Sequence, residues 1–286
     1  MTTSQKVSIL DFQKKKEAHQ PITMLTAYDY PGAILVDEAG TDIVLVGDSL
    51  AMTILGHPDT VSVTMDEMIH HCKAVARGTK RAFMVGDMPF LSYQITPIEA
   101  VRNAGRFVKE AGMEAVKLEG GRDMAETVRA IVRAGIPVMG HLGLTPQTAT
   151  KLGGYKVQGA TADSANQMVD DALALQTAGC FAIVLEAVPA PVAKVITQKL
   201  AIPTIGIGAG PDCDGQVLVF HDILGLFDKF VPKFVKQYAN LRQPMLTALE
   251  TFCQEVASGR FPDAEHSFKM DESELARFQM LKAKDE

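Results

Sequence analysis

A lysine and a glutamate two residues apart sit inside the apolar run Ala115-Val116-Lys117-Leu118-Glu119. Side chains on a strand alternate between faces, so Lys117 and Glu119 share one face while Val116 and Leu118 share the other. A buried charge is costly unless it is paired or holds a metal, so two on one inner face point to a site. Other apolar runs end in the same manner, at Asp29, Asp48, Asp87, His141 and Glu186, and Asp222 follows the last of them.

Asp48, Asp87 and Glu119 gathered in one pocket would each raise the proton affinity of the others. A divalent cation relieves that repulsion, and with Lys117 included the formal charges balance. An all-oxygen donor set favours magnesium over zinc. Such an ion chelates a 2-oxo acid and stabilises the enolate left when a proton leaves the adjacent carbon. Lys117 then suits the substrate carboxylate or a developing oxyanion, its plainer alternative being an ion pair with Glu119. Glu186 follows the apolar residues Phe181 to Leu185 and is the candidate general base. The plainer alternative for Glu186 is a loop or capping carboxylate, because Pro189 and Pro191 follow closely. His141 reads as a hydrogen-bonding residue that orients others.

These residues need elements that bring them together. Apolar runs at Ile22–Ala27, Ile43–Val46, Phe83–Gly86, Ala115–Glu119, Pro137–Gly140, Phe181–Leu185, Pro203–Ile207 and Val217–Phe220 alternate mostly with helix-length segments. Helix starts are marked by Pro31, by the Thr64/Glu67 capping box and by Thr96-Pro97, and a further helix is predicted over Pro232–Ser258. Buried runs alternating with helices predict parallel strands covered by helices. Eight such units predict a (β/α)8 TIM barrel, an α/β fold whose C-terminal strand ends carry the chemistry. A short amphipathic helix from Ser8 closes one end. An open doubly wound sheet is the rival architecture, but it would not bring so many strand ends into one site. Thr145 to Ala162 is a Gly-rich loop whose Gly153 and Gly154 would permit a lid.

The bulk properties narrow the class. The chain of 286 residues has 47% hydrophobic and 22% charged residues, as in a globular protein, and its net charge of −6 excludes a nucleic-acid footprint. No apolar run reaches membrane-spanning length, and Met1 to Gln20 lacks the apolar core of a signal peptide. The four cysteines, Cys72, Cys180, Cys213 and Cys253, have neither metal-type nor redox-type spacing and read as buried reduced thiols in a cytoplasmic protein. Gly206-Ile207-Gly208-Ala209-Gly210 lacks the spacing of a dinucleotide fingerprint and reads as tight turning at a strand end.

Ten blocks, in order, carry a resemblance: Thr26-Ala27-Tyr28-Asp29, Gly47-Asp48-Ser49-Leu50, Gly56-His57, Gly86-Asp87-Met88-Pro89-Phe90 and Val116 to Gly121, then Gly140 to Gln147, Gly153 to Gly159, Leu185 to Pro189, Ile205 to Gly210 and Glu265-His266-Ser267-Phe268. The chain resembles the ketopantoate hydroxymethyltransferase family from about Ser8 to Phe268. The resemblance implies a barrel of the phosphoenolpyruvate/pyruvate type. It implies transfer of a hydroxymethyl group from 5,10-methylenetetrahydrofolate to 3-methyl-2-oxobutanoate, giving 2-dehydropantoate in pantothenate biosynthesis. It assigns Mg2+ to Asp48, Asp87 and Glu119, the keto acid to Asp48, Ser49, Asp87 and Lys117, and proton removal to Glu186. A homodecamer is implied as well. The catalytic domain is expected over residues 1–268, with 269–286 a charged tail read as a surface or unstructured extension, a helix over Met270–Lys284 being the alternative.

Two other functions fit less of this pattern. A magnesium-dependent aldolase or lyase acting on another 2-oxo acid would share the same metal and keto-acid residues. The Lys-Lys-Cys-Gly-His loop of the isocitrate lyase type is absent from this chain. A non-enzymatic metabolite-binding barrel would not exchange the substrate's C3 hydrogen.

Overall fold

The computed structural model describes residues 5–150, 153–154, 156–227 and 231–283. Among these, eight strands alternate with helices: α1 (Ile9–Glu17), β1 (Ile22–Thr26), α2 (Tyr30–Glu38), β2 (Ile43–Val46), α3 (Leu50–Thr53), α4 (Met65–Gly78), β3 (Phe83–Asp87), α5 (Pro97–Ala111) and β4 (Ala115–Glu119). They continue as α6 (Ala125–Arg133), β5 (Val138–Gly143), α7 (Ala162–Ala178), β6 (Ala182–Glu186), α8 (Ala190–Lys199), β7 (Thr204–Ile207), β8 (Gly215–Leu218) and α9 (Phe220–Ile223). Every strand pairs in parallel with its sequence neighbours, and β8 pairs with β1 to close the barrel. The predicted (β/α)8 architecture is therefore observed.

Inside the barrel the period of two sets what faces the axis. Phe83 and Val85, Ala115, Met139, Ala182 and Val184 fill the interior with Met24, Ile205 and Val217. Each inward column continues upward into a polar residue: Val85 into Asp87, Ala115 into Lys117 and Glu119, Met139 into His141, and Val184 into Glu186. The outward residues Val116, Leu118, Ile183 and Leu185 belong to the shell packed under the helices. At the other end α1 supplies the lid expected there. Ser8 and Asp11 form its capping box, and Phe12, 1% exposed, lies edge-on to Phe83 with 5.4 Å between ring centroids.

The chain forms two compact units, Met1–Tyr238 and Ala239–Glu286, and the barrel lies in the first. The sequence places its boundary after Phe268, where the resemblance ends; the barrel's unit ends at Tyr238. The second unit contains α10 (Arg242–Ala257) and α11 (Glu272–Lys282). The helix predicted from Pro232 thus begins ten residues late, and Pro244 explains why. It is tolerated in the first turn of α10, whereas in a helix begun at Pro232 it would be interior and would break the ladder. The tail, read as a surface or unstructured extension with a helix over Met270–Lys284 as the alternative, contains the helix α11, with the Asp271 side chain accepting from the Ser273 amide at 2.9 Å. Among the described residues no helix is long and apolar enough to cross a membrane.

Candidate active site

The strand register decides which charges meet. Asp87 stands opposite Lys117 across β3 and β4, and Glu119 stands opposite His141 across β4 and β5. Lys117 accordingly pairs with Asp87, its Nζ 2.9 Å from Oδ1, and lies 3.2 Å from His141 Nδ1. The alternative ion pair between Lys117 and Glu119 is not formed; the Glu119 carboxylate faces His141 at 3.5 Å instead. His141 reaches the other way to β6, its Nε2 lying 3.2 Å from Glu186 Oε2, close but not aligned as a hydrogen bond. The orienting role expected of His141 suits this place between two carboxylates.

Asp48 and Ser49 come from the turn between β2 and α3. The Asp48 amide donates to Asp87 Oδ2 at 3.0 Å, and Ser49 Oγ is 2.9 Å from Tyr28 Oη. All seven predicted groups, Asp48, Ser49, Asp87, Lys117, Glu119, His141 and Glu186, line one cavity of about 370 Å³ at the C-terminal ends of the strands. Asp29 does not belong to it. Its side chain caps α2, accepting from the Gly32 amide at 2.7 Å, which is the plain role of a strand-end polar residue.

Burial dominates the electrostatics. It pushes the Asp87 carboxyl up to about 8, with Lys117 pulling it down and Asp48 adding to the rise. Burial likewise raises Glu119, against the pull of His141. Burial opposes the charge on Lys117, but Asp87, Asp48 and Glu119 outweigh it and the ammonium is held. For His141, burial and Lys117 disfavour the imidazolium, while Glu119 and Glu186 on its two sides raise it to about 9.

Gln147 and Tyr93 organise the acids from behind, and neither is marked by charge in the sequence. The Gln147 side-chain amide donates to Asp48 Oδ2 and to the Met88 carbonyl, both at 2.9 Å, and its backbone amide donates to Glu119 Oε2 at 3.1 Å. Tyr93 donates to Gln147 Oε1 at 2.7 Å and accepts from the Glu119 amide at 3.1 Å. A short 3-10 turn, Pro146–Thr148, holds Gln147 in place. Its only early trace is membership of the block Gly140 to Gln147. The possible lid falls partly on Lys151, Leu152 and Tyr155, which lie outside the described residues.

The donor set fits a magnesium ion on two grounds. Asp87 Oδ1 and Glu119 Oε1 are buried without a hydrogen bond, although Oδ1 has Lys117 at ion-pair distance. Magnesium also keeps much of its water and needs only one or two carboxylates together with a substrate. Among the described residues no three acids, histidines or cysteines stand as a ready-made metal cage, so water and substrate would complete the shell.

The glycines after β7 have steric work consistent with the tight-turn reading. Gly208 has φ +65°, and a Cβ there would lie 2.6 Å from the Phe234 ring that it accommodates. Among the cysteines, Cys72 and Cys180 are buried as expected, whereas Cys213 is half-buried and Cys253 exposed; none is in a disulfide.

Residues 6–264 match the family model of ketopantoate hydroxymethyltransferase. A 3-methyl-2-oxobutanoate hydroxymethyltransferase of Moorella thermoacetica is 60% identical over 269 residues, covering 94% of this chain and all of that protein. One from Oleidesulfovibrio alaskensis is 57% identical, covering 96% of this chain and 94% of its own. Among solved structures, phosphonopyruvate hydrolase in complex with oxalate and Mg++ superposes with a TM-score of 0.60 at 13% identity, covering 98% of this chain and 97% of its own. 2,3-Dimethylmalate lyase, a member of the PEP mutase/isocitrate lyase superfamily, superposes at 0.56 with 16% identity, covering 96% and 95%. At such identities these two show a shared fold.

Proposed function

The chain belongs to the ketopantoate hydroxymethyltransferase family, and from that premise we propose that its barrel-mouth cavity moves a hydroxymethyl group from 5,10-methylenetetrahydrofolate to 3-methyl-2-oxobutanoate, giving 2-dehydropantoate. The chain is thus an enzyme, which sets the non-enzymatic barrel aside. The observation that carries the site assignment is the meeting of Lys117 with Asp48, Asp87, Glu119 and Glu186 in one cavity.

In this reading Asp48, Asp87 and Glu119 would hold Mg2+, which would supply Lewis acidity to the bound 2-oxo acid. The bound cation in the oxalate complex of phosphonopyruvate hydrolase supports it by analogy of fold. Asp48, Ser49 and Asp87 position the keto acid, and the Lys117 ammonium meets the negative charge that grows on its oxygens. Glu186 removes the proton from C3, and the His141 imidazolium, 3.2 Å away, draws that carboxylate toward it by charge. The C3 carbanion equivalent then attacks the one-carbon unit and a C–C bond forms. Both C–N bonds that held this carbon to the folate break, water supplies the hydroxyl group, and the remaining water proton and the proton taken from C3 end on the two folate nitrogens.

Exchange of the C3 hydrogen tests this directly. With protein and Mg2+ in D2O and no folate, the C3 proton signal of 3-methyl-2-oxobutanoate is expected to disappear from the NMR spectrum. A protein that turns over the full reaction but never exchanges this hydrogen would falsify the order of steps.

A homo-oligomer, a decamer by family resemblance, is part of the same proposal. Its support is α10, where Met245, Leu249, Phe252 and Val256 form one stripe and are 53%, 62%, 53% and 49% exposed. Apolar stripes of this kind mark association surfaces. Leu249→Glu combined with Phe252→Glu is expected to lower the sedimenting mass, and an unchanged mass would move the interface elsewhere. A cytoplasmic location is proposed from the unpaired cysteines.

A further inference from the structure

The reaction proposed above leaves part of the cavity without a task. Besides the acids and Lys117, its lining includes Asp222, Lys156 and Lys233 together with Phe227, Phe234 and Val219. A cavity of about 370 Å³ is of the size that takes a drug-sized ligand, and the keto acid is far smaller.

Asp222 is the unusual member. It lies on α9, just beyond β8, and the chain there is tied to β1 by the Phe220 amide donating to Thr26 Oγ1 at 2.9 Å. Its carboxyl is half-buried, and burial alone pushes it up to about 6, with no hydrogen bond or ion pair among the described residues to offset that burial. At neutral pH it is an ionised, acceptor-only group at an apolar wall, so it is complementary to a ligand that offers N–H donors. Two adjacent donors would match its two oxygens best. The lining of the same cavity includes two aromatic rings, one seated by Gly208. Lys156 and Lys233 are unpaired among the described residues and add positive charge to the same cavity.

Acceptor carboxylate, aromatic wall and cations correspond to the three parts of a reduced folate: a pyrimidine with ring N–H and exocyclic amine, a flat ring system, and a carboxylate tail. We propose that Asp222 anchors the pyrimidine ring of the folate donor, with Phe227 and Phe234 beside the rings and Lys156 and Lys233 toward the carboxylate end. This assignment rests on the folate reading above.

The test uses two probes on the full-length protein with Mg2+ and 3-methyl-2-oxobutanoate, by anaerobic equilibrium dialysis. Tetrahydrofolate carries the pyrimidine; p-aminobenzoylglutamate lacks it. Asp222→Asn replaces one acceptor by a donor and is expected to weaken tetrahydrofolate binding about 10- to 100-fold, as for a hydrogen bond to a charged group, while p-aminobenzoylglutamate binds as to the wild type. Tetrahydrofolate affinity that is unchanged in Asp222→Asn overturns the assignment. So does an equal loss for both probes, which would make Asp222 a determinant of cavity shape. Wild-type protein that exchanges the C3 hydrogen but binds no tetrahydrofolate overturns the folate reading itself, and Asp222 loses its ligand with it.

Discussion

Glu186→Gln is expected to slow C3 hydrogen exchange and overall turnover by about 10²- to 10⁴-fold, the usual contribution of a positioned general base. Glutamine keeps the size and shape of the side chain and removes its basicity, so substrate binding should survive. The kinetic signature is a fall in kcat with little change in KM for 3-methyl-2-oxobutanoate, because the lost interaction belongs to proton transfer. Glu186 is the only one of the cavity's carboxylates on β6, across the barrel from Asp48 and Asp87 and linked to the other acids through His141. That separation leaves it free of the ligand duty proposed for the other three. His141 is the competing base, and it makes the test sharper. Nδ1 already faces Lys117 and Glu119, so a His141→Gln variant should lose activity through a misplaced Glu186 and retain measurable exchange. Normal turnover in Glu186→Gln, or a larger loss in His141→Gln, would transfer the base to the imidazole.

Physical cost explains which parts of this site could be read from the sequence. Lys117 and Glu119 stood out because charges on the inner face of a buried strand need compensation. The period of two then placed Asp87 and Glu186 on the same inner columns as the apolar residues below them. Asp29 shows the limit of that logic, since a strand-end carboxylate serves equally well as a helix cap. The pairing partner of Lys117 was not legible, because it depends on strand register rather than on distance along the chain. Gln147 and Tyr93 were missed for a different reason. A neutral side chain leaves no unpaid charge to notice, and Gln147 meets Asp48 across 99 positions of sequence. At the C-terminal side the helical periodicity from Pro232 was real only after Arg242, because hydrophobic spacing does not reveal where Pro244 must fall within a helix.

Lys117→Met separates two roles that the geometry combines. Lys117 is 4% exposed and its ammonium lies 2.9 Å from Asp87 Oδ1, so its loss leaves buried carboxylates without their cation. Breaking a buried pair in this way costs about 3–5 kcal/mol, part of which proton uptake by Asp87 would absorb. The metal-free variant is therefore expected to melt well below the wild type at neutral pH. Mg2+ should now restore stability, and bind more tightly than to the wild type, because no ammonium competes for the same oxygens. Turnover should not return with it. If Lys117 also binds the keto acid, its removal weakens substrate affinity by about 1.5–3 kcal/mol, roughly 10- to 150-fold in Kd, even at saturating Mg2+. Thermal melts with and without Mg2+ and calorimetric titration of 3-methyl-2-oxobutanoate measure the two effects independently. A lysine that only neutralises the acids would be replaceable by the ion in both measurements, so full recovery of substrate affinity in magnesium would confine Lys117 to a structural role. Recovery of stability without recovery of affinity places the ammonium on the substrate, where the inner face of β4 presents it beside Asp87.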